Sequence, residues 1–309
     1  MKILSNLSVP FFVICLVIIS CEPDNNLIIS DPEFSIKFSD GMVISEKDIV
    51  YYDSSTCNLF LKNNLHFKYV FGEPPNVDYL KFSVFVDTDT IYQGIVYPAD
   101  VAQPPPNPCF IASYSYPYEY FDGDIISIRY PDFYSNIIET RHNNLVINSL
   151  EKSSLLKKGI TCSIDSIYLS SQNDSIVTCV FTIKNHDVIN YYIPDPVKMG
   201  FGRFSLCLGG LSLKYKEKND DIYVKFNNLF GWEVITIDDL SLLNGNDEVT
   251  FTYESLFNKN LNPGLFECRF YYCFLIGYGK LSIPLAQEAG RIWAGDINLV
   301  KDNMNIQKQ

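Results

Sequence analysis

The chain has 309 residues, enough for one large or two medium domains, and its 47% hydrophobic and 19% charged residues are typical of a folded protein. The formal net charge is −12, and it becomes −13 once residues 1–20, whose only charged side chain is Lys2, are removed. Because nucleic-acid binding requires clustered Lys and Arg, this acidity argues against nucleic acid as a partner.

The amino terminus has the pattern of a bacterial export signal. Residues 9–19 form an apolar run of eleven, which is too short to cross a bilayer, since a crossing takes about 20 residues. The run ends in the letters IISC, so that branched apolar residues and a small residue precede Cys21, as in a bacterial lipobox. We therefore predict a lipoprotein signal peptide over residues 1–20 and lipid attachment at the thiol of Cys21.

The predicted anchor defines a compartment and a first partner. Two or more acyl chains hold a protein firmly on a membrane, and lipoproteins of this kind usually carry them. Residues 21–33 are then a polar lipidated tether, and we predict a lipid-anchored outer-membrane protein on either the periplasmic or the surface-exposed face. The alternative is an ordinary secretory signal in which Cys21 is incidental.

The first half of the body is rich in strand patterns. Residues 48–53 and 57–61 predict two strands around a polar turn. Residues 80–86 and 91–97 bracket the segment Asp-Thr-Asp-Thr and predict a hairpin. Residues 124–130, with three isoleucines, predict a further strand.

The second half begins with a predicted connection and then returns to strands. Residues 150–158 favour a short helix that ends at Gly159. Short strand patterns follow, separated by turns rich in Asn, Asp, Gly and Ser, and they lie at residues 161–169, 176–184, 203–208, 211–215, 221–226, 233–237, 249–253, 265–276 and 291–300.

Regularly spaced short strands indicate an all-β protein. We predict two immunoglobulin-like β-sandwich domains in series, the N-terminal one over residues 34–147 and the C-terminal one over residues 148–303. Residues 304–309 are expected to be a tail.

The chain resembles the surface-type cell-envelope lipoproteins of the Bacteroidota. The lipobox carries the resemblance, together with the stretches DIVYYDSST at residues 48–56, FTIKN at 181–185 followed by YYIP at 191–194, and GRIWAGD at 290–296. The resemblance covers most of the chain and implies a role at the cell envelope without a specific activity. Three Asp-Ser/Thr-Ile triplets are similar to an O-glycosylation acceptor pattern of such exported proteins, and we predict modification of Ser175, in the most turn-like of them.

A tyrosine-rich segment is the most distinctive candidate for ligand binding. Its tyrosines recur at every second residue, so an extended chain directs all four to one side, and Pro117 keeps the segment out of a central strand. One interpretation is an aromatic shelf for sugar rings; the other is an edge strand whose rings pack on the sandwich. The four candidate residues are Tyr114, Tyr116, Tyr118 and Tyr120.

The sequence has no motif of a known enzyme class and no pattern that implies a cofactor or a metal site. Seven cysteines follow Cys21, and their place in apolar runs favours buried thiols over a disulfide network, although one bridge between Cys162 and Cys179 is an alternative. Oxygen-rich Asp pairs such as Asp87 and Asp89 lack the spacing of a calcium loop and are expected to be turn residues.

The sequence therefore favours a non-enzymatic envelope lipoprotein that binds a glycan or a partner outer-membrane protein. Because sandwiches host many functions, two alternatives stay open. One is a structural or assembly subunit of an envelope complex or fibre, which predicts an exposed apolar patch or an unpaired strand edge. The other is a hydrolase with paired carboxylates, which predicts an acidic cleft.

Overall fold

The computed structural model describes residues 33–63, 80–98, 110–113, 125–129, 143–200, 203–204, 209–216, 221–222, 234–274, 280–281 and 286–309. Most of these residues lie in strands, which confirms the predicted all-β class. The predicted signal peptide and most of the tether lie outside the described residues.

Twenty-two strands and two complete short α-helices are present in these ranges, and Arg203 and Phe204 are also helical. In chain order the strands are β1 (Phe34–Phe38), β2 (Val43–Ser45), β3 (Ile49–Asp53), β4 (Asn58–Leu61), β5 (Lys81–Val86), β6 (Asp89–Pro98), β7 (Phe110–Ser113), β8 (Ile125–Arg129), β9 (Leu156–Lys157), β10 (Ile160–Leu169), β11 (Ile176–Asn185), β12 (Tyr191–Pro194), β13 (Gly209–Tyr215), β14 (Asp221–Ile222), β15 (Val234–Ile235), β16 (Leu240–Leu243), β17 (Glu248–Leu256), β18 (Gly264–Phe274), β19 (Lys280–Leu281), β20 (Ala286–Gln287), β21 (Gly290–Ile292) and β22 (Gly295–Ile306). The helices are α1 (Asn144–Lys152) and α2 (Pro196–Met199), and Glu46–Asp48 and Ile237–Asp239 form 3-10 turns.

The first nine strands form one mixed sheet in the order β2-β1-β5-β6-β7-β8-β4-β3-β9. The predicted hairpin is confirmed, because β5 pairs antiparallel with β6 across a turn in which Asp87 has φ of 54°. The predicted pairing of residues 48–53 with 57–61 is also confirmed, as β3 with β4.

The short connection between β2 and β3, here called the corner, makes this sheet curve. The edge strand β2 and the nearly opposite strand β3 are joined only by Glu46–Asp48. Three residues of 3-10 helix span about 6 Å, so the two edges of the sheet must approach each other. The Glu46 carboxylate accepts hydrogen bonds from the Phe34 amide at 2.9 Å and from the Ser149 hydroxyl at 3.0 Å. It thereby ties β1 and α1 to the corner.

The helix in the connection lies earlier than the sequence predicted. The predicted helix at residues 150–158 is wrong in position, because α1 ends at Lys152 and the chain then enters β9. Asn143 starts the helix by accepting a hydrogen bond from the Leu145 amide at 2.8 Å, and Ser154, with φ of 59°, ends it. Val146 and Leu150 on α1 are buried in the core of the nine-stranded sheet.

The second half contains two sheets packed face to face. Strands β10-β11-β17 form one sheet, and β14-β13-β18-β22 form the other. The ring centroids of Phe181 on β11 and Phe270 on β18 are 4.6 Å apart, so the two sheets share one core. A third sheet, β16-β12-β21-β20, lies beside them and contributes Tyr191, Ile193 and Ile292 to this core. This packing is sandwich-like, whereas the immunoglobulin-like arrangement of two domains stays a prediction.

The predicted strand at residues 291–300 is divided between two sheets. It is interrupted at Trp293 and Ala294, after which the chain continues as β22. Trp293 is buried with its ring centroid 5.7 Å from that of Tyr272. The Trp293 ring thus holds the chain in the core at the point where it passes from β21 to β22.

Successive side chains of β3 point to opposite faces of the sheet, and this alternation connects the two halves. On β3, Tyr52 points into the core of the nine-stranded sheet, whereas its neighbour Tyr51 belongs to the core of the second half. Phe60 on β4 stacks on Tyr51 at 4.1 Å between ring centroids and belongs to the same core. At β3 and β4, one face of the nine-stranded sheet therefore contributes to the core of that sheet, and the opposite face contributes to the core of the second half.

Gly159 lies where the two halves meet, and its conformation requires glycine. It has φ of +71°, and a Cβ atom there would lie 2.2 Å from Ser55 Oγ and 2.4 Å from Asp53 Oδ1. Its carbonyl accepts a hydrogen bond from the His186 amide at 3.0 Å, and its amide donates to Asp187 Oδ2 at 2.8 Å. Any side chain at this position therefore pushes β3 away from the segment that carries Asp187.

We expect Gly159→Ala to lower the free energy of unfolding by more than about 2 kcal/mol, because it adds a steric clash to backbone strain. Gly41→Ala is the matched control, since Gly41 has φ of +90° and no heavy atom within 4 Å of its Cβ position. The control is expected to cost only about 1 kcal/mol. Urea unfolding of both variants measures the difference, and equal costs would show that the close approach at Gly159 does not matter.

Candidate binding surface

The outward side of β13, β18 and β22, here called the outer face, exposes polar and aromatic side chains in register. The alternation on β18 is strict, because Phe266, Cys268, Phe270 and Tyr272 are buried whereas the residues between them point outward. This surface therefore has a rigid support, since each outward residue has core residues on both sides of it.

Tyr271 is the aromatic centre of the outer face. It is 37% exposed and lies on β18 between Gly210 of β13 and Asn298 of β22. Gly210 has no side chain and Asn298 has a short one, so neither neighbour adds a bulky group beside the Tyr271 ring.

A charged pair lies next to this tyrosine along the strand. The guanidinium of Arg269 and the carboxylate of Glu267 are 2.9 Å apart, and their side chains are 49% and 30% exposed. The hydrogen bond to Glu267 raises the pKa of Arg269 above its ordinary value, and an interaction with Tyr271 contributes in the same direction. Arg269 is flanked by Ser212 and Val300 on the adjacent strands. The outer face thus presents a ring, a fixed guanidinium and a carboxylate in a row.

A second group of polar and aromatic side chains lies where the two halves meet. We call it the junction cluster, and it consists of Tyr51, Asp53, Asp187, Tyr191 and Arg291. The Arg291 guanidinium lies 4.4 Å from the centre of the Tyr51 ring, a cation–π contact. Burial raises the pKa of both tyrosines well above the ordinary value, so both hydroxyls stay protonated.

Each carboxyl group of the junction cluster has its own set of donors. Asp187 accepts from the amides of Lys158 and Gly159 at 2.9 and 2.8 Å and from the Tyr191 hydroxyl at 2.8 Å. Asp53 Oδ1 accepts from the amide and the hydroxyl of Ser55 at 2.9 and 2.6 Å. Asp53 is only 2% exposed and Asp187 only 9%. Both carboxyl groups are therefore buried and bound by donors of the chain itself.

Burial raises the pKa of Asp53 from its ordinary value near 4 to about 7. The hydrogen bonds from Ser55 oppose this rise, and the nearby carboxyl of Asp187 adds to it. The desolvation cost of a buried carboxylate is the dominant cause, so Asp53 gains or loses its proton close to neutral pH.

Most of the residues predicted as sites lie outside the described part of the chain. These are Cys21 and the four tyrosines of the predicted shelf, Tyr114, Tyr116, Tyr118 and Tyr120. Ser175 is described: it lies half-buried in the turn before β11, and its hydroxyl donates to Asn260 Oδ1 at 2.6 Å. Its modification stays a prediction.

Four described cysteines are buried thiols outside any disulfide bond, in agreement with their interpretation as small apolar residues; they are Cys57, Cys162, Cys179 and Cys268. Burial raises the pKa of the Cys162 and Cys268 thiols to about 12, which leaves them unreactive. Within the described ranges, no three His, Cys, Asp or Glu side chains lie together so that they could hold a metal ion. Nor is any described helix long and apolar enough to cross a bilayer.

Reasoning from sequence missed both groups. The pattern LFECRFYY at residues 265–272 alternates between apolar and other residues, and it could have identified Glu267, Arg269 and Tyr271 as outward-facing. No such signal exists for the junction cluster, since its members come from distant segments. Comparison with protein-family models, with curated proteins and with solved structures gives no significant match.

The raised pKa of Asp53 predicts stability that falls as the pH rises. The unfolded chain loses this proton near pH 4, whereas the folded protein keeps it up to about pH 7. The contribution of Asp53 is therefore most favourable below about pH 4 and declines by about 4 kcal/mol as the pH approaches 7.

Asp53→Asn removes this titration and keeps an oxygen that accepts from Ser55. We expect the variant to gain stability relative to the native protein between about pH 5 and pH 8. Urea unfolding across that range measures the difference, with Glu248→Gln, at a side chain that is 62% exposed, as the control. A difference that does not change with pH would contradict a buried, titrating Asp53.

Proposed function

We propose that the protein is a lipid-anchored envelope lipoprotein of the outer membrane, with a non-catalytic binding role. Cys21 carries the acyl chains, and the outer face presents the ligand-binding surface. The ligand is a glycan or a partner outer-membrane protein.

The arrangement of Tyr271, Arg269 and Glu267 is the observation that carries the binding proposal. An exposed ring beside a planar guanidinium suits recognition, because both groups offer large contact areas at small entropic cost. Their strand lies over a packed core, so the groups are held in place before a ligand arrives.

The environment of Asp53 supports a binding role over a catalytic one. Asp53 has a strongly shifted pKa, which is often a property of catalytic acids. Its burial and its donors from Ser55 instead favour a structural role in the junction cluster.

A structural or assembly subunit is the second candidate, and one observation favours it. Within the described residues, β16 pairs only with β12. Leu242, on β16 itself, is an exposed aliphatic side chain. Exposed aliphatic side chains also lie close to both ends of β16, namely Val188 beside Gly245 and Val197 next to Lys198, whose ammonium group donates to the Leu240 carbonyl. An open edge with apolar neighbours suits association with another chain. Chemical crosslinking of whole cells, with and without Val188→Asp, tests this alternative.

For the anchor, we expect Cys21→Ser to abolish acylation and to release the protein from the membrane fraction, because the lipobox then has no thiol to accept the lipid. Fractionation with intact-mass measurement checks this, and Cys15→Ser, within the predicted signal peptide, is the control that should remain acylated. Full membrane recovery of Cys21→Ser without acyl mass would overturn the anchor.

For the surface, we expect Tyr271→Ala and Arg269→Ala each to weaken binding to a cell-envelope fraction by about tenfold. The measurement is cosedimentation of the purified mature protein in a Cys21→Ser background, so that acyl chains contribute nothing.

Tyr168→Ala is the matched control, since Tyr168 is a partly exposed tyrosine on β10 in the opposite sheet. Unchanged binding of both outer-face variants would exclude the outer face as the binding surface. Equal losses in all three variants would also exclude it, because the effect would then be general.

A further inference from the structure

We propose that the outer face binds a neutral glycan, with a sugar ring stacked on Tyr271 and its hydroxyl groups bound by Arg269 and Glu267. This inference rests on the proposed function and names the ligand class of the same surface.

The first argument is the chemistry of the ring. A pyranose has C–H groups on its faces and hydroxyl groups at its edge, and the electron-rich face of an aromatic ring attracts such C–H groups. Tyr271 is 37% exposed beside Gly210, which presents no side chain. A flat ligand can therefore approach the tyrosine from the side of β13.

The second argument is the pair of polar groups next to that ring. Arg269 offers only donors and Glu267 only acceptors, and the two are held 2.9 Å apart. Successive outward positions on a strand are about 6.8 Å apart, so the pair lies within reach of a sugar on Tyr271. Neighbouring hydroxyl groups, each both donor and acceptor, match such a pair.

The third argument is charge. Glu267 neutralises Arg269, and the row through Tyr271 contains only the uncharged neighbours Gly210 and Asn298. Two lysines lie further along the face: Lys214 is opposite Glu267, and Lys216 donates to the side chain of Asn303. The net charge of the chain is −12. Together these favour an uncharged ligand over an acidic polymer at the tyrosine.

The fourth argument separates a glycan from a protein partner. Binding hot spots in protein interfaces need large apolar or aromatic anchors in clusters. Among the described cross-strand neighbours of Tyr271 and Arg269, Val300 is large and aliphatic, whereas Gly210, Ser212 and Asn298 are small or polar. The other exposed aliphatic side chain of this face, Leu265, lies beyond Glu267 along β18. In the described part of the chain the outer face is the outward side of paired strands, which suits an extended polymer.

Affinity electrophoresis and calorimetry with purified polysaccharides test this inference. The neutral probes are α-glucan, β-glucan, mannan, xylan and galactan, and the acidic probes are polygalacturonate and heparin. We expect at least one neutral probe to bind, with an affinity that changes little as NaCl is raised from about 50 to about 500 mM, because no ion pair with the ligand is involved.

The variants separate stacking from folding. Tyr271→Phe keeps the ring and is expected to bind within about threefold of the native protein, whereas Tyr271→Ala loses about tenfold. Glu267→Gln is expected to weaken binding, and Tyr168→Ala to leave it unchanged. Circular dichroism and thermal unfolding confirm that each variant is folded.

Three outcomes overturn the glycan inference: binding of acidic probes only, binding of neutral probes that is independent of Tyr271, or no binding of any probe. If these occur while cosedimentation with envelope still depends on Tyr271, the proposed binding function stands with a different ligand. If cosedimentation with the envelope fraction also does not depend on Tyr271, both proposals fail.

Discussion

The contact of two buried carboxyl groups with Gly159 is the constraint on which the described body depends. Asp53 comes from the nine-stranded sheet and Asp187 from the second half, and both lie against this one residue. Burial of polar groups is costly unless each has partners, and here backbone amides and hydroxyl groups supply them. The geometry of the junction is therefore narrowly defined, because a small displacement of the Lys158 and Gly159 amides removes two of the donors to the buried Asp187.

The outer face depends indirectly on the same constraint. Tyr51 and Phe60 belong to the core that also contains Phe270 and Tyr272. These last two lie on the inner side of β18, directly behind Arg269 and Tyr271. The outer face is thus supported by a core that both halves build. A change in the protonation of Asp53 therefore acts on the stability of this support rather than on the outer face directly.

Much of the β structure could be predicted from the sequence, and the reasons lie in local patterns. The hairpin of β5 and β6 and the pairing of β3 with β4 follow from alternation and turn residues. The position of α1 could not be predicted, because the stop at Ser154 and the entry of Leu156 into a sheet depend on tertiary contacts with β3. The junction cluster was equally hidden, since Asp53 and Asp187 meet only through the fold. The alternating pattern around Tyr271 predicts that this residue points outward, but the four alternating tyrosines that begin at Tyr114 form a more conspicuous pattern in the sequence.

Strand β22 has a consequence for truncation. It reaches Ile306, which is fully buried, and the amide of Gln309 donates to the carbonyl of Leu169 at 3.0 Å. β22 also pairs along β18, which directly supports the outer face. A chain cut before Gly295 therefore lacks a strand of this sheet and leaves the edge of β18 and part of the core open to water.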